Sequence, residues 1–308
     1  MLVVSVPTRA LHEAVGTRAG VEVVEWDLRG EAPRQKIDIV VNPYMQSPAL
    51  LQAINGVDVR LVQHQSIGYD GVFDHLPAGI TFANASGVHE DSTAELALTL
   101  ILAMQRGIPD FVRQASRSEW SSRVYPSLID RRVLIVGYGA VAKAIESRLI
   151  PFGTHISRVA RTAREVELAD GSRAEVYGIA DLAAQLALAE IVVLALPLTP
   201  DTVGLIDARA LAAMADGALL VNVARGSIVD TDALVDEVSS GRLRAAIDVV
   251  EPEPLPSRSP LWQLPNVLIS PHVGGDSGAM KPRIVRLLNT QIDRMLAGDD
   301  PVNVINRG

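Results

Sequence analysis

A strand, a glycine turn and a helix start, all within residues 131–145, constrain the fold of this chain more than any other stretch. The sequence there is Arg-Arg-Val-Leu-Ile-Val-Gly-Tyr-Gly-Ala-Val-Ala-Lys-Ala-Ile. Gly137 allows a tight turn, Gly139 lets a pyrophosphate approach the backbone, and Ala142 lets the helix pack closely on the strand. The helix that begins near Ala140 would offer backbone N–H groups and its positive dipole end to an anion. The stretch therefore predicts a dinucleotide-binding turn.

The neighbouring sequence supports this prediction. Glycine turns between strands and helices also occur for geometric reasons alone, so the turn needs support from its context. The strand at 133–136 is apolar on both faces, as a central parallel strand should be. A second strand, at 156–160, follows about 20 residues after the turn, which is the spacing of a dinucleotide-binding βαβ unit.

Composition limits the possible functions. With 308 residues the chain is long enough for two domains, and its net charge of −8 argues against a nucleic-acid partner. The absence of cysteine excludes disulfides, thiolate metal sites and cysteine nucleophiles. Residues 2–6 resemble a first strand and not a signal peptide, and the most apolar helix, 94–104, is too short to cross a membrane. We expect a cytoplasmic protein without a membrane partner.

Alternating strands and helices predict two α/β domains. Four β-rich runs separated by helical segments lie within the first 94 residues and predict a small parallel sheet. Further apolar runs after the glycine turn predict a second, doubly wound sheet. A long helix near 278–297 is expected to return to the first domain. We therefore predict a discontinuous domain of residues 1–94 and 276–308, and a second domain of residues 95–275.

Three charged residues follow the last three predicted strands of the second domain. They are Arg225, Glu253 and His272. Parallel strands would place all three at the same edge of the sheet as the nucleotide turn. Hydride transfer to a 2-keto acid needs a guanidinium for the carboxylate and carbonyl oxygens and an acid that protonates the new alkoxide. A histidine held by a carboxylate suits the second task, because the negative neighbour favours the imidazolium form.

Each of these residues alone is more often structural, and their joint placement is the stronger signal. Glu251 is a nearby alternative to Glu253. We interpret Glu251 as an exposed loop charge. The remaining histidines show no pairing at metal-ligand spacing, so we predict no metal site. Tyr44 and Trp120 are weaker candidates for the border of a substrate pocket, because aromatic residues near loops usually serve packing.

The motifs together resemble the D-isomer-specific 2-hydroxyacid dehydrogenases, a family that includes glyoxylate/hydroxypyruvate reductases and phosphoglycerate dehydrogenases. The resemblance covers most of the chain. It implies an α/β fold of two doubly wound parallel-sheet domains, with a Rossmann NAD(P)-binding domain inserted in a smaller flavodoxin-like substrate domain. The motifs that carry it stand in the family's order and spacing at 137–142, 196–202, 222–230, 248–254 and 266–274.

The resemblance also implies roles for individual residues. Arg225 binds substrate, His272 is the acid/base and Glu253 pairs with the histidine. Asp248 lies near the nicotinamide carboxamide, Thr199 and Val223 line the cofactor cleft, and backbone N–H groups of Ser66, Ile67 and Gly68 meet the substrate carboxylate. The expected cofactor-binding residues are Gly137, Tyr138, Gly139, Ala140, Val141, Ala160, Arg161, Arg164, Leu196, Pro197, Thr202, Val223, Ala224, Asp248 and Gly274.

One departure from the family pattern concerns the choice of cofactor. NAD-dependent relatives carry an acidic residue at the end of the second strand, where this chain has Ala160. Arg161 and Arg164 follow it. Two arginines could simply solvate a loop, but a small neutral residue beside an arginine favours the 2′-phosphate of NADP(H). We predict that NADP(H) is preferred and that NAD(H) remains possible.

The leading hypothesis is a homodimeric enzyme that reduces a small 2-keto acid, such as glyoxylate or hydroxypyruvate, to the D-2-hydroxy acid with NADPH. The apolar helix at 94–104 motivates the dimer, since it needs cover on several faces. One alternative is a non-catalytic NAD(P)-sensing binding protein on the same fold. Another is an NAD-dependent phosphoglycerate dehydrogenase-like enzyme.

Overall fold

The chain divides into two compact units. The computed structural model describes residues 1–168 and 170–306. Unit 1 comprises Met1–His89 and Ser277–Gly308, and unit 2 comprises Glu90–Asp276. The second unit is therefore inserted in the sequence of the first.

Unit 1 begins with a parallel sheet. Its strands are β1 (Leu2–Val6), β2 (Val21–Glu25), β3 (Lys36–Val41), β4 (Asp58–Gln63) and β5 (Thr81–Ala83), with helix α1 (Arg9–Val15) after β1. Strand β3 lies in the middle and is buried after its first residue, because helices and loops cover both faces of the sheet. The segment Pro48–Ile54, between β3 and β4, forms a 3-10 helix.

Unit 2 is the larger α/β unit. It begins with helices α2 (Glu90–Gln105) and α3 (Ile108–Ser116). Its main sheet contains β6 (Arg132–Val136), β7 (His155–Val159), β10 (Ile191–Leu194), β11 (Leu219–Asn222), β12 (Arg244–Ile247) and β13 (Val267–Ile269). Strands β8 (Arg164–Glu167) and β9 (Arg173–Val176) form a separate antiparallel hairpin. The other helices are α4 (Ala140–Leu149), α5 (Leu182–Leu188), α6 (Ala208–Ala213) and α7 (Thr231–Ser239).

The chain ends with two elements of unit 1. Helix α8 (Met280–Ala297) packs its apolar face on the unit 1 sheet through side chains such as Leu288 and Ile292. Strand β14 (Val304–Asn306) pairs antiparallel with β5. The unit 1 sheet has the order β14-β5-β4-β3-β1-β2, and the unit 2 sheet has the order β13-β12-β11-β10-β6-β7.

The predicted fold class is confirmed: both units are α/β and built on parallel sheets. The antiparallel edge strand β14 and the β8–β9 hairpin are additions that the sequence analysis did not predict. In unit 2 the strand order reverses between β10 and β6, and ligands of open α/β sheets bind at such switch points. A ligand of unit 2 is therefore expected at the carboxyl ends of β6 and β10.

Candidate active site

The glycine turn between β6 and α4 has the geometry of a pyrophosphate cradle. Gly137 has φ +89°, and a Cβ atom there would lie 2.5 Å from the carbonyl oxygen of Ala195, so only glycine fits. A Cβ on Gly139 would meet no described atom within 4 Å, so an incoming group can reach this backbone. Helix α4 begins directly afterwards without a side-chain cap, which leaves its first N–H groups and its dipole to an anion. These features fit the pyrophosphate of a dinucleotide.

Tyr138 lies between the two glycines and turns inward. It is 8% exposed, and its hydroxyl donates a 2.6 Å hydrogen bond to Glu146 Oε2 on α4. Glu146 also accepts hydrogen bonds from Arg158 of β7. The sequence analysis missed this buried pair. A charged residue amid the apolar alternation of β7 is the signal that could have revealed it.

The end of β7 carries the residues predicted to choose between the two cofactors. Ala160 is partly buried, and its N–H donates to the carbonyl of Tyr177 at 3.0 Å. Arg161 and Arg164 are both exposed. Arg164 opens the β8–β9 hairpin and donates from Nη2 to the carbonyl oxygen of Tyr138 at 3.2 Å. This arginine is therefore held beside the glycine turn.

Two further loops lie at the same edge of the sheet. After β10, the Thr202 hydroxyl accepts from the Thr199 N–H at 2.7 Å and donates to the Pro197 carbonyl at 2.9 Å, which stabilises the turn at 196–202. After β11, Val223 and Ala224 are buried, and Asn222 accepts from the Ala224 N–H at 3.0 Å. Both loops are fixed by hydrogen bonds within the loop.

Arg225 follows β11, and the side chain of Asn222 holds its backbone in place. The Asn222 amide donates to the carbonyl oxygen of Arg225 at 3.0 Å. The next residue, Gly226, packs so tightly against the Val250 carbonyl that a Cβ would lie 1.9 Å from its oxygen. The half-buried guanidinium donates from Nη1 to the Ala224 carbonyl at 2.7 Å. The sequence analysis missed the bracing roles of Asn222 and Gly226.

Glu253 and His272 form a hydrogen-bonded pair, with 2.8 Å between Glu253 Oε2 and His272 Nδ1. The other carboxylate oxygen of Glu253 accepts from the Val250 N–H at 3.1 Å. Partial burial opposes ionisation of Glu253. The hydrogen bonds from His272 and Val250 and the charges of His272 and Arg225 outweigh it, so the pKa of Glu253 is lowered. The structure thus brings the three predicted residues together around the carboxylate of Glu253.

Asp248 anchors the loop that carries His272. Its carboxylate accepts hydrogen bonds from the Ser270 hydroxyl at 2.6 Å and from the N–H groups of Val273 and Gly274, both at 2.9 Å. Its carbonyl oxygen accepts from the His272 N–H at 2.8 Å. Glu251, by contrast, lies exposed in the preceding loop. Asp248 was expected near the cofactor. The structure adds that it holds the histidine loop in place.

The substrate-loop residues lie in unit 1, after β4. The carbonyl of Ser66 accepts from the Ala85 N–H at 3.0 Å, and the carbonyl of Ile67 accepts from the Asn84 amide at 2.9 Å. Nothing in the fold of unit 1 tests a role for Ser66, Ile67 and Gly68 in substrate binding, which stays a prediction. Tyr44 lines a cavity of about 400 Å³ in the same unit, together with Gln65 and Arg29.

Neither a metal cluster nor a membrane-spanning helix is found in the described part of the chain. Residues 1–168 and 170–306 contain no group of three or more histidine or acidic side chains that could hold a metal ion. Across the same residues, no helix combines the length and the apolar character needed to cross a bilayer. His89 instead stacks on Tyr44, with 5.7 Å between the ring centroids, and its Nε2–H donates to the Gln65 carbonyl oxygen at 2.6 Å.

Comparison with known proteins assigns the family. A model described as D-isomer specific 2-hydroxyacid dehydrogenase, NAD binding domain, matches residues 98–274. The glyoxylate reductase/hydroxypyruvate reductase of Mus musculus is 32% identical over 85% of this chain and 84% of its own length. The chain belongs to the D-isomer specific 2-hydroxyacid dehydrogenase family. It is an NAD(P)-dependent dehydrogenase, and the resemblance seen in its motifs is confirmed.

Further relatives of this dehydrogenase match along nearly its whole length. The glyoxylate reductase of Pyrococcus horikoshii is 31% identical over 93% of this chain and 90% of that protein. The structure of the NADPH-dependent glyoxylate/hydroxypyruvate reductase of Sinorhizobium meliloti, in complex with NADP and sulfate, is 25% identical with a TM-score of 0.82. It covers 99% of this chain and 98% of that one.

Proposed function

We propose that this dehydrogenase reduces a small 2-keto acid, of the size of glyoxylate or hydroxypyruvate, to the D-2-hydroxy acid, with NADPH preferred. The observation that carries the proposal is the His272–Glu253 pair at 2.8 Å, placed beside Arg225 at the edge of the sheet that bears the glycine turn. The substrate class is supported by the similarity to glyoxylate and hydroxypyruvate reductases.

His272 is the proposed acid in reduction and the base in oxidation. Because Nδ1 is engaged with Glu253, Nε2 is the ring nitrogen that can deliver a proton to the developing alkoxide. Glu253 fixes the orientation of the ring, and its negative charge stabilises the imidazolium. A bound nicotinamide would supply the hydride. In the reverse direction the neutral imidazole accepts the hydroxyl proton.

Arg225 is the proposed group that binds the 2-keto acid. A guanidinium carries N–H donors in a planar fork, which matches a carboxylate oxygen and the adjacent carbonyl oxygen. Its backbone is braced by Asn222 and Gly226, so the base of this side chain is fixed. The same positive charge would polarise the carbonyl that accepts the hydride.

The NADPH preference is supported by the end of β7. No carboxylate stands at Ala160 to bind a ribose diol, and the exposed guanidinium groups of Arg161 and Arg164 suit a phosphate dianion. A charge-assisted contact of about 1.5 to 3 kcal/mol gives roughly tenfold to hundredfold discrimination between the cofactors.

Steady-state kinetics with both cofactors would test the cofactor choice. We expect a higher kcat/KM with NADPH than with NADH, and Arg161→Ala should reduce that ratio while NADH activity persists. Arg173→Ala is a matched control, because Arg173 is also an exposed arginine of this region but is paired with Glu165 at 3.3 Å. An equal or higher kcat/KM with NADH would contradict the preference.

A substrate screen tests the reaction itself. Glyoxylate, hydroxypyruvate, pyruvate and phosphohydroxypyruvate would each be supplied with NADPH and with NADH, and nicotinamide oxidation followed by absorbance. The proposal expects the highest kcat/KM with glyoxylate or hydroxypyruvate. A clear preference for phosphohydroxypyruvate would contradict the proposed substrate class, and no turnover with any 2-keto acid would favour a nucleotide-binding role.

We also propose that the protein is a homodimer. Helix α2 packs residues such as Leu100 and Ile101 within unit 2, and its Leu96, Leu98 and Leu102 are only partly buried. The segment after α2 carries exposed apolar side chains, among them Trp120 and Val124, which are 98% and 99% exposed. An apolar surface of this kind marks an interaction site, and a second copy is the simplest partner. The sequence analysis considered Trp120 only as a weaker candidate for the border of a substrate pocket.

A further inference from the structure

A buried charged cluster lies directly behind the glycine turn. Glu146 of α4 is 2% exposed and Arg158 of β7 is 8% exposed. Arg158 Nε donates to both carboxylate oxygens of Glu146, at 3.0 and 2.9 Å, and its Nη2 adds a third hydrogen bond. The Tyr138 hydroxyl donates to the same carboxylate at 2.6 Å. We call Tyr138, Glu146 and Arg158 the turn-anchoring network.

Stability alone does not account for such a network. Removing two charges from water is unfavourable, and well-packed apolar residues of similar volume often stabilise a fold equally well. Its neighbours on β7 and α4, such as Val159 and Ile145, are apolar and fully buried. A hydrogen-bonded network does fix geometry more narrowly than apolar packing, because each donor must face its acceptor.

The network fixes the residue that separates the two glycines. The Tyr138 hydroxyl is held by Glu146, and two cationic groups lie near its ring, with Arg158 5.8 Å and Lys143 6.0 Å from the ring centroid. The Tyr138 carbonyl accepts from Arg164 at 3.2 Å. The turn is also closely packed at Gly137, where a Cβ atom would lie 2.5 Å from the Ala195 carbonyl oxygen. The backbone of the turn is therefore held at Tyr138, through both its side-chain hydroxyl and its backbone carbonyl.

We propose that Glu146 and Arg158 are positioning residues for the cofactor: through Tyr138 they hold the glycine turn in the conformation that receives the pyrophosphate. The inference rests on the proposed cofactor site but not on the preference for NADPH. Both nicotinamide dinucleotides carry the same pyrophosphate, so the network should contribute to the binding of each.

Tyr138→Phe tests the proposal with the smallest change. It removes one oxygen and leaves the Glu146–Arg158 pair intact, so the protein keeps its buried ion pair. Dissociation constants for NADPH, NADH and ADP-ribose would be measured on the full chain by fluorescence titration, alongside the thermal unfolding midpoint. We expect each dissociation constant to rise about tenfold, since small misplacements of binding groups have effects of this size or larger. ADP-ribose should follow the dinucleotides, because it retains the pyrophosphate and lacks the nicotinamide.

Glu190→Gln is the matched control. Glu190 accepts from Arg131 Nη1 at 2.6 Å and from the Arg132 N–H at 3.0 Å, so it braces the opposite end of β6. This variant should lower the unfolding midpoint and leave all three dissociation constants within about twofold of wild type. Glu146→Gln should resemble Tyr138→Phe in binding and exceed it in lost stability, because Arg158 is then buried without its partner.

Two results would overturn the proposal. One is a Tyr138→Phe variant whose three dissociation constants stay within about twofold of wild type, whatever its stability, since misplaced groups should do more. The other is equal weakening in Glu190→Gln, which would make the effect one of general destabilisation. A wild-type preference for NADH would contradict the proposed cofactor choice and would leave this inference standing, so the two failures are distinguishable.

Discussion

His272, the proposed acid/base, has a backbone conformation that few residues adopt. Its φ is +54°, in the left-handed region that is unfavourable for most side chains. The conformation persists because the His272 N–H donates to the Asp248 carbonyl and the Asp248 carboxylate holds the residues on both sides. Residues held in sparsely populated conformations are concentrated at functional sites. The backbone of His272 thus supports the role that its contact with Glu253 suggests.

Glu253→Gln should shift the pH profile of keto-acid reduction. The lowered pKa of Glu253 means that the carboxylate stays ionised near neutral pH, where its charge favours the imidazolium. Glutamine keeps the shape and loses that charge, so the protonated histidine should be lost at lower pH. We expect the alkaline limb of kcat for reduction to move to lower pH. Glu251→Gln is the control, because Glu251 lies in the same loop and is exposed. An unmoved alkaline limb in Glu253→Gln would contradict this electrostatic role.

The contact between α4 and β7 should make the free energy of unfolding fall at alkaline pH. Burial, helped by the hydrogen bond and charge of Glu146 and opposed by Arg158, raises the pKa of Tyr138 to about 12. In the unfolded chain the phenol ionises near pH 10, so stability is fully present below pH 10 and lost as pH rises towards 12. Two pKa units correspond to about 2 to 3 kcal/mol of unfolding free energy.

Urea unfolding between pH 9 and pH 12 would measure this loss. The free energy of unfolding of the wild type should fall more steeply over that range than that of Tyr138→Phe, which has no phenol to ionise. Parallel curves for the two proteins would show that Tyr138 does not titrate differently in the folded and unfolded states.

Long apolar strands and the glycine turn could be predicted from sequence, because their patterns are local. Parallel strands all end at the same edge of a sheet, so the proximity of Arg225, Glu253 and His272, which follow such strands, could also be predicted. Strand β5, with three residues, and the polar β8–β9 hairpin lack such patterns. The hairpin does carry one usable signal, the Asp170-Gly171 dipeptide that is typical of tight turns. The long-range contacts of Asp248 and of the turn-anchoring network depend on tertiary packing, so sequence spacing alone could not predict them.

The exposed apolar segment after α2 predicts that the whole protein self-associates. Burial of such side chains by a second copy would remove apolar surface from water and stabilise the assembly by about 25 cal/mol per Å². Sedimentation velocity across a range of concentrations should show a species of about twice the 32.9 kDa chain mass. Trp120→Ser with Val124→Ser should shift the protein towards monomer, and a matched change at exposed Val203 should not. A wild-type protein that sediments as a monomer at every concentration would contradict the dimer.

The kcat of His272→Asn tests whether His272 transfers the proton in keto-acid reduction, as we propose. The measurement would use saturating NADPH and keto acid, with cofactor affinity determined in parallel. General acid catalysis contributes about 10² to 10⁴, so kcat should fall at least about a hundredfold while the dissociation constant for NADPH changes little. Wild-type turnover in His272→Asn would contradict the account and remove His272 from the mechanism.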